Sequence, residues 1–122
     1  MPTRTYLRLP INADEGFPQA FRLAMSGRNY LFRLHANVAE EMLEAAVDGP
    51  LELPSAGAFL VLSVEREEPG GLVGLFRRKL VPGVEYLAAE LALTFAAMRL
   101  DPRNLNGAGS FGSVVRGGVA PR

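Results

Sequence analysis

Along much of the chain, apolar residues recur at every second position, the spacing of a strand with one buried face. Phe21, Leu23 and Met25 alternate with Arg22, Ala24 and Ser26, and Tyr30, Phe32 and Leu34 alternate with Leu31, Arg33 and His35. Between the two runs, Ser-Gly-Arg-Asn at 26–29 supplies turn residues, and Gly27 is free to take the positive φ of a tight hairpin turn. The pattern predicts a hairpin whose aromatic and aliphatic side chains share one face. A second hairpin is predicted over 59–81. Leu60, Leu62 and Val64 share a face, Glu-Pro-Gly-Gly at 68–71 is a strong turn signal, and the chain is extended again from Leu72 to Val81. Its arms carry opposite charge, Glu65, Glu67 and Glu68 against Arg77, Arg78 and Lys79, which predicts cross-strand ion pairs on a wet face.

Other segments follow different rules. Thr5 to Ile11 alternates Tyr6 and Arg8 against Leu7 and Leu9, and Pro10 makes it a short or edge strand. Asn37 and Glu40 have the spacing of a capping box. Val38, Met42, Ala45 and Ala46 follow at helical spacing until Asp48-Gly49-Pro50, so one helix of about three turns is predicted. The segment LELPSAG at 51–57 reads as a loop or short edge strand, because Pro54 lacks a ladder donor. Residues 87–100 fit two periods: Leu87, Leu91 and Phe95 are helically spaced, whereas Leu91, Leu93, Phe95 and Ala97 alternate as in a strand. From about 101 to 122 the chain is rich in Gly, Asn and Pro and reads as a flexible or surface-fitted arm, in which Ser113 to Val115 could pair at an edge.

Composition narrows the possible functions. The 122 residues, 48% hydrophobic and 21% charged, suit one globular domain over 1–122. Thirteen basic and thirteen acidic side chains cancel, which argues against nucleic acid or an anionic membrane as a partner. The absence of cysteine excludes disulfides and thiolate metal sites. No apolar stretch approaches a membrane span, and MPTRTYLRLPINADEG has no signal-like apolar core, so a soluble protein is expected.

Candidate chemistry is sparse. His35 is the only histidine and has no ligand-spaced neighbour. None of Ser26, Ser55, Ser63, Ser110 and Ser113 stands in a Gly-x-Ser-x-Gly elbow. The glycines of NGAGSFG lack the following helix that phosphate cradling requires. No catalytic, cofactor-binding or metal-binding residue is therefore expected, and the chain is not expected to be an enzyme. The sharpest local feature is Arg77, Arg78 and Lys79, in RRKLVPGVEYL, which reads as an exposed strand edge or protein contact.

Two stretches resemble the phage baseplate plug family, small proteins of contractile-tail baseplates and related tail-like particles. FRLAMSGRNYLFRLHAN at 21–37 is similar to the family's early hairpin, a strand, a turn with Gly and a Tyr-led strand ending near an Asn. KLVPGVEYL at 79–87, with LDPRNLNGAGSFGSVV at 100–115, is similar to its Leu-Val-x-Gly strand end, Asp-Pro loop and closing Gly-rich edge. In this reading Pro82 and Gly83 turn the chain, and Val84 and Leu87 return it to the core. The predicted helix VAEEMLEAAVD and the loop LELPSAG depart from the family pattern as an insertion. The resemblance also favours a strand over 88–99.

The expected fold is mainly β, a small antiparallel β-barrel or sandwich of about six to eight strands with one inserted helix. The resemblance implies a structural component of a tail baseplate, made in the host cytoplasm and located in the virion. It would be a plug or connector between hub or spike and tail tube, present in several symmetric copies with other baseplate proteins as partners. The candidate interface is Arg77, Arg78 and Lys79 with Arg103, Asn104, Asn106 and Phe111. A binding module for an oligonucleotide or other ligand on a small β-barrel is the alternative.

Overall fold

The structure, a computed structural model, describes residues 4–40, 51–55, 57–105, 107, 109–110 and 112–122. Through them run nine strands: β1 (Leu7–Arg8), β2 (Gln19–Met25), β3 (Arg28–Val38), β4 (Leu51–Glu52), β5 (Ala58–Glu68), β6 (Gly71–Lys79), β7 (Glu85–Ala88), β8 (Leu91–Leu100) and β9 (Val114–Pro121). Every pairing is antiparallel. One sheet has the order β2-β3-β5-β6, and the other runs β1-β9-β8, with β7 and β4 dividing the far side of β8 between them. Buried residues of both sheets form one core cluster, so the fold is mainly β, with its two sheets packed as a sandwich.

The first hairpin has the predicted register. Phe21 faces Phe32, Leu23 faces Tyr30, and Met25 faces Arg28 across a two-residue turn. Ser26 and Gly27 both take positive φ, 52° and 76°, the requirement of the turn type whose twist matches flanking strands. Tyr30, Phe32 and Leu34 are buried, and Phe21 stacks on Phe32 with ring centroids 5.2 Å apart. β5 adds Ala58, Leu60, Leu62 and Val64 to the same inner face.

The second hairpin turns at Pro69-Gly70, with Glu68 facing Gly71. Its predicted ion pairs do not form. The acids of β5 face Gly74, Leu72 and Gly71, while Arg77, Arg78 and Lys79 face Ser63, Leu62 and Val61, so the two charge groups lie at opposite ends of the hairpin. The acids bond elsewhere instead, Glu65 to Arg33 at 2.8 Å, Glu67 to Arg22 at 2.9 Å, and Glu68 to Arg66. A bulge leaves Leu75 as an extra residue, because Val64 faces Phe76 and Glu65 faces Gly74. Side-chain parity reverses there. Leu72 and Gly74 consequently share the outer face with Arg77 and Lys79, whereas Arg78 lies on the inner side of the edge, opposite Leu62.

The double periodicity of 87–100 resolves as a strand: Leu87, in β7, is exposed, and so shares no face with Leu91 and Phe95 of β8. A second bulge interrupts β8, where Phe95 pairs with Gly117 and Ala97 with Arg116, leaving Ala96 over. The large core residues of β8 are therefore Leu91, Leu93, Phe95, Met98 and Leu100, with Ala97 carried off their face. Between the sheets, Pro82-Gly83 turns the chain with Gly83 at φ 79°, and the Gly83 N–H donates to the Phe95 carbonyl at 2.8 Å. Val84 and Leu87 do not return to the core: they are 40% and 46% exposed. Because Tyr86 pairs with Leu93 and Ala88 with Leu91, those two residues turn inward.

Two further expectations change. Asn37 is not a helix cap; it is part of β3 and faces Phe59. Glu40 alone among the described residues is α-helical, and the rest of the predicted helix, 41–48, lies outside them. β1 is the short edge strand that Pro10 suggests, two residues long with Leu7 exposed. From Val114 onward the expected arm is instead β9, an interior strand between β1 and β8 with Val115, Val119 and Ala120 buried. Its glycines let neighbours close in. A Cβ on Gly117 would lie 2.4 Å from the Phe95 Cε2, and one on Gly118 would lie 2.8 Å from the Tyr6 Cβ.

Replacing Gly117 by Ala should therefore force Phe95 from its place and cost about 1–3 kcal/mol, read as a lower midpoint in denaturant unfolding. Ala at Gly74, around which a Cβ meets nothing within 4 Å, should leave that midpoint unchanged or higher.

Candidate functional site

Strand parity sets out the candidate contact surface. On the outer face of the four-stranded sheet, Arg33, Ser63 and Arg77 form one cross-strand row, and His35, Val61 and Lys79 form the next. The Lys79 ammonium sits 4.9 Å from the centre of the Phe59 ring, a cation–π contact on the same face. Arg77, Arg78 and Lys79 are all exposed, but the alternation of the strand separates Arg78 from the other two. Beyond Lys79 the chain stays accessible through Val81, Val84 and Leu87. The Tyr86 hydroxyl accepts from the Val81 N–H at 2.7 Å and donates to the Lys79 carbonyl at 3.3 Å, holding this stretch in a closed loop.

Of the remaining predicted contact residues, Arg103 and Asn104 stand on a different part of the fold. Arg103 stands in a short 3-10 turn, Pro102–Asn104, capped by Asp101. Asp101 is the one buried charged residue among those described, and it accepts from the Arg103 N–H at 2.9 Å, from Nε at 3.0 Å and from Nη2 at 2.8 Å. The Arg103 side chain, against the opposing effect of burial, holds the Asp101 carboxyl below the ordinary range. This turn packs beside the Ala13–Glu15 turn that leads into β2, at the opposite edge of the sheet from β6. That separation spans three strand spacings, about 14 Å. Asn104 belongs to the same turn, and Asn106 and Phe111 lie outside the described residues.

Sequence patterns did not reveal a polar hub at the other end of the sandwich. Glu90, in the turn between β7 and β8, receives the Tyr30 hydroxyl at 2.7 Å, Arg28 at 3.1 Å and Arg66 at 2.7 and 2.8 Å on its two oxygens. Its partners are 62, 60 and 24 residues away, beyond the reach of any local period. The only hint was its position as the sole charge between Glu85 and Arg99. Burial alone would raise its pKa, but the bonds from Tyr30, Arg66, its own backbone N–H and Arg28 outweigh that effect and hold it at about 2. Tyr30 is pushed above its ordinary value by burial and then by Glu90. A cleft of about 350 Å³ opens beside the hub, lined by Ser26, Arg28, Tyr30, Leu91, Pro121 and Arg122. Near neutrality Glu90 is thus an ionised acceptor that ties the two sheets together.

Among the described residues, no group of three or more His, Asp or Glu side chains could hold a metal ion, and no helix is long and apolar enough to cross a membrane. Fold and surface together define a small antiparallel β-sandwich with one exposed, partly cationic edge. Comparison of the chain with protein-family models, curated proteins and solved structures finds no match in any of the three.

The hub carries a pH dependence. The folded pKa of Glu90 lies below the unfolded value of about 4.3, so its stabilisation is complete above that pH and is lost as pH falls through about 2. Allowing for partial solvent screening, Glu90→Gln should cost about 1–2 kcal/mol near neutrality. Chemical denaturation at a series of pH values should show the gap between wild type and variant closing from about pH 4.5 towards pH 2.

Proposed function

We propose that the protein is a structural component of a phage or phage-like tail baseplate, a plug or connector packed where hub or spike meets the tail tube. The observation that carries this reading is the exposed tract from Arg77 to Leu87, where cations and accessible apolar side chains share one constrained strand-and-loop segment. Surfaces of that mixed kind suit protein partners. The reading is supported by the likeness of residues 21–37, 79–87 and 100–115 to the baseplate plug family. The partners would be other baseplate, hub and tube proteins, met by several symmetric copies, and the chain's place would be the virion.

A second reading, a binding module for an oligonucleotide, is favoured by one observation. Phe59 and Lys79 lie on an open sheet face with Arg77, and single strands bind where aromatics and cations share such a face. Titration with single-stranded DNA at low and high salt separates the two readings, because phosphate contacts weaken steeply with salt and a protein-only surface gives flat curves.

Quantitative peptide mass spectrometry on purified tailed particles tests the proposal directly. The expected result is a fixed, low ratio of this chain to tube and hub proteins. Reversing Arg77, Arg78 and Lys79 to Glu should lower that ratio by about tenfold while leaving the isolated protein folded. Absence from clean particles, with abundance in the soluble lysate, would sink the reading.

A further inference from the structure

β6 ends its sheet and is the longer of that sheet's two edge strands, nine residues against seven in β2. Leu72 and Val73 on it are 45% and 42% exposed. An edge of this kind presents unpaired N–H and C=O groups as a template for another strand.

Gly74 adds a second observation. It stands inside the strand without a positive φ, and a Cβ there would meet nothing within 4 Å. Gly74 adjoins the bulge at Leu75, where glycine is common, but no positive φ and no crowding within this chain requires it, and glycine weakens a strand interior. A glycine at such a place suits the close approach of something from outside.

Charge selects the occupant. The uncharged stretch Gly71 to Phe76 is followed by Arg77, Arg78 and Lys79. A parallel copy would set cation against cation, which is destabilising, whereas an antiparallel copy sets each cationic half against an uncharged half. We infer that β6 pairs antiparallel with β6 of a second copy of this chain, in the register that places Gly74 opposite Arg77 and Leu72 opposite Lys79. All four residues lie on the outer faces, so the pairing keeps each strand's parity across its bulge. Directly beyond Gly74 stands Glu65 of β5, and beyond Leu72 stands Glu67. Arg77 of the second copy therefore crosses a position without a side chain to reach Glu65, about two strand spacings or 10 Å from its own backbone. The two-fold axis makes the same contact twice and joins the two four-stranded sheets into one of eight strands.

The pairing does not rest on the baseplate reading, since it concerns the isolated chain. Sedimentation equilibrium from micromolar to near-millimolar concentration should show a monomer–dimer equilibrium. Gly74→Val should raise the dimer Kd by about tenfold or more while the far-UV spectrum of the monomer is kept, because a β-branched residue fits the strand. Arg77→Glu should weaken the dimer in the same way, and Arg77→Lys should preserve it. A monomer at every concentration overturns the inference. So does a dimer whose Kd changes with neither Gly74→Val nor Arg77→Glu, since it must form through another surface.

Discussion

The structure depends above all on the register between β3 and β5, nine consecutive pairs from Tyr30 with Arg66 to Val38 with Ala58. These are the two central strands of their sheet, and alternate side chains of both make about a third of the core. A slip of one residue between them would turn the set of one strand to water, either Phe32 and Leu34 or Leu60, Leu62 and Val64. Each of those five is wholly buried. The tight turn at Ser26-Gly27 fixes β2 against β3. At the same end Glu90 grips Arg28, Tyr30 and Arg66, residues of both central strands, and so ties their alignment to the second sheet. Hydrophobic burial supplies the driving force here, while directional bonds at the rim select which of the nearly equivalent alignments is used.

The zero net charge conceals a segregated surface. Acids of β5 are matched by arginines of their own sheet, Glu65 by Arg33 and Glu67 by Arg22, across exposed pairs that contribute little to stability. The cations of β6 stand beyond that compensated zone, next to accessible Val81. The two ends of the molecule thus differ. The Glu90 end is bonded inward, and the Lys79 end is turned outward.

The hairpins were legible in the sequence because their apolar residues alternate without interruption and their turns carry Gly or Pro. Legibility failed at single-residue irregularities. Leu75 and Ala96 are extra residues in bulges, and each reverses the parity that an alternating pattern extrapolates. The bulge at Leu75 puts Arg77 and Lys79 on the face of Leu72 and Gly74, and the one at Ala96 carries Ala97 off the face of Leu91, Leu93 and Phe95. Val84 and Leu87 were misplaced for a related reason, since it is pairing with β8 that decides which face of β7 is inward. β9 looked like an arm because its glycines suggest freedom, whereas Gly117 and Gly118 are pressed against Phe95 and Tyr6. Of the expected contact residues, Arg77 and Lys79 share a face, while Arg103 is held by buried Asp101 at the other edge. The bonds of Glu90, to partners 24 to 62 residues away, leave no periodic trace.

The position of β1 has a mechanical meaning. Leu7 faces Val119 and Arg8 faces Gly118, so the strand that opens the fold and the strand that closes it run antiparallel side by side, and the flanking chain leaves from the same end of both. Tension between those two exits pulls across the ladder, not along it. Its bonds then carry the load one after another, and β1 peels away from β9 like a seam opened from one end. The two-residue seam yields first, while the nine-pair register at the centre of the opposite sheet lies outside the line of force.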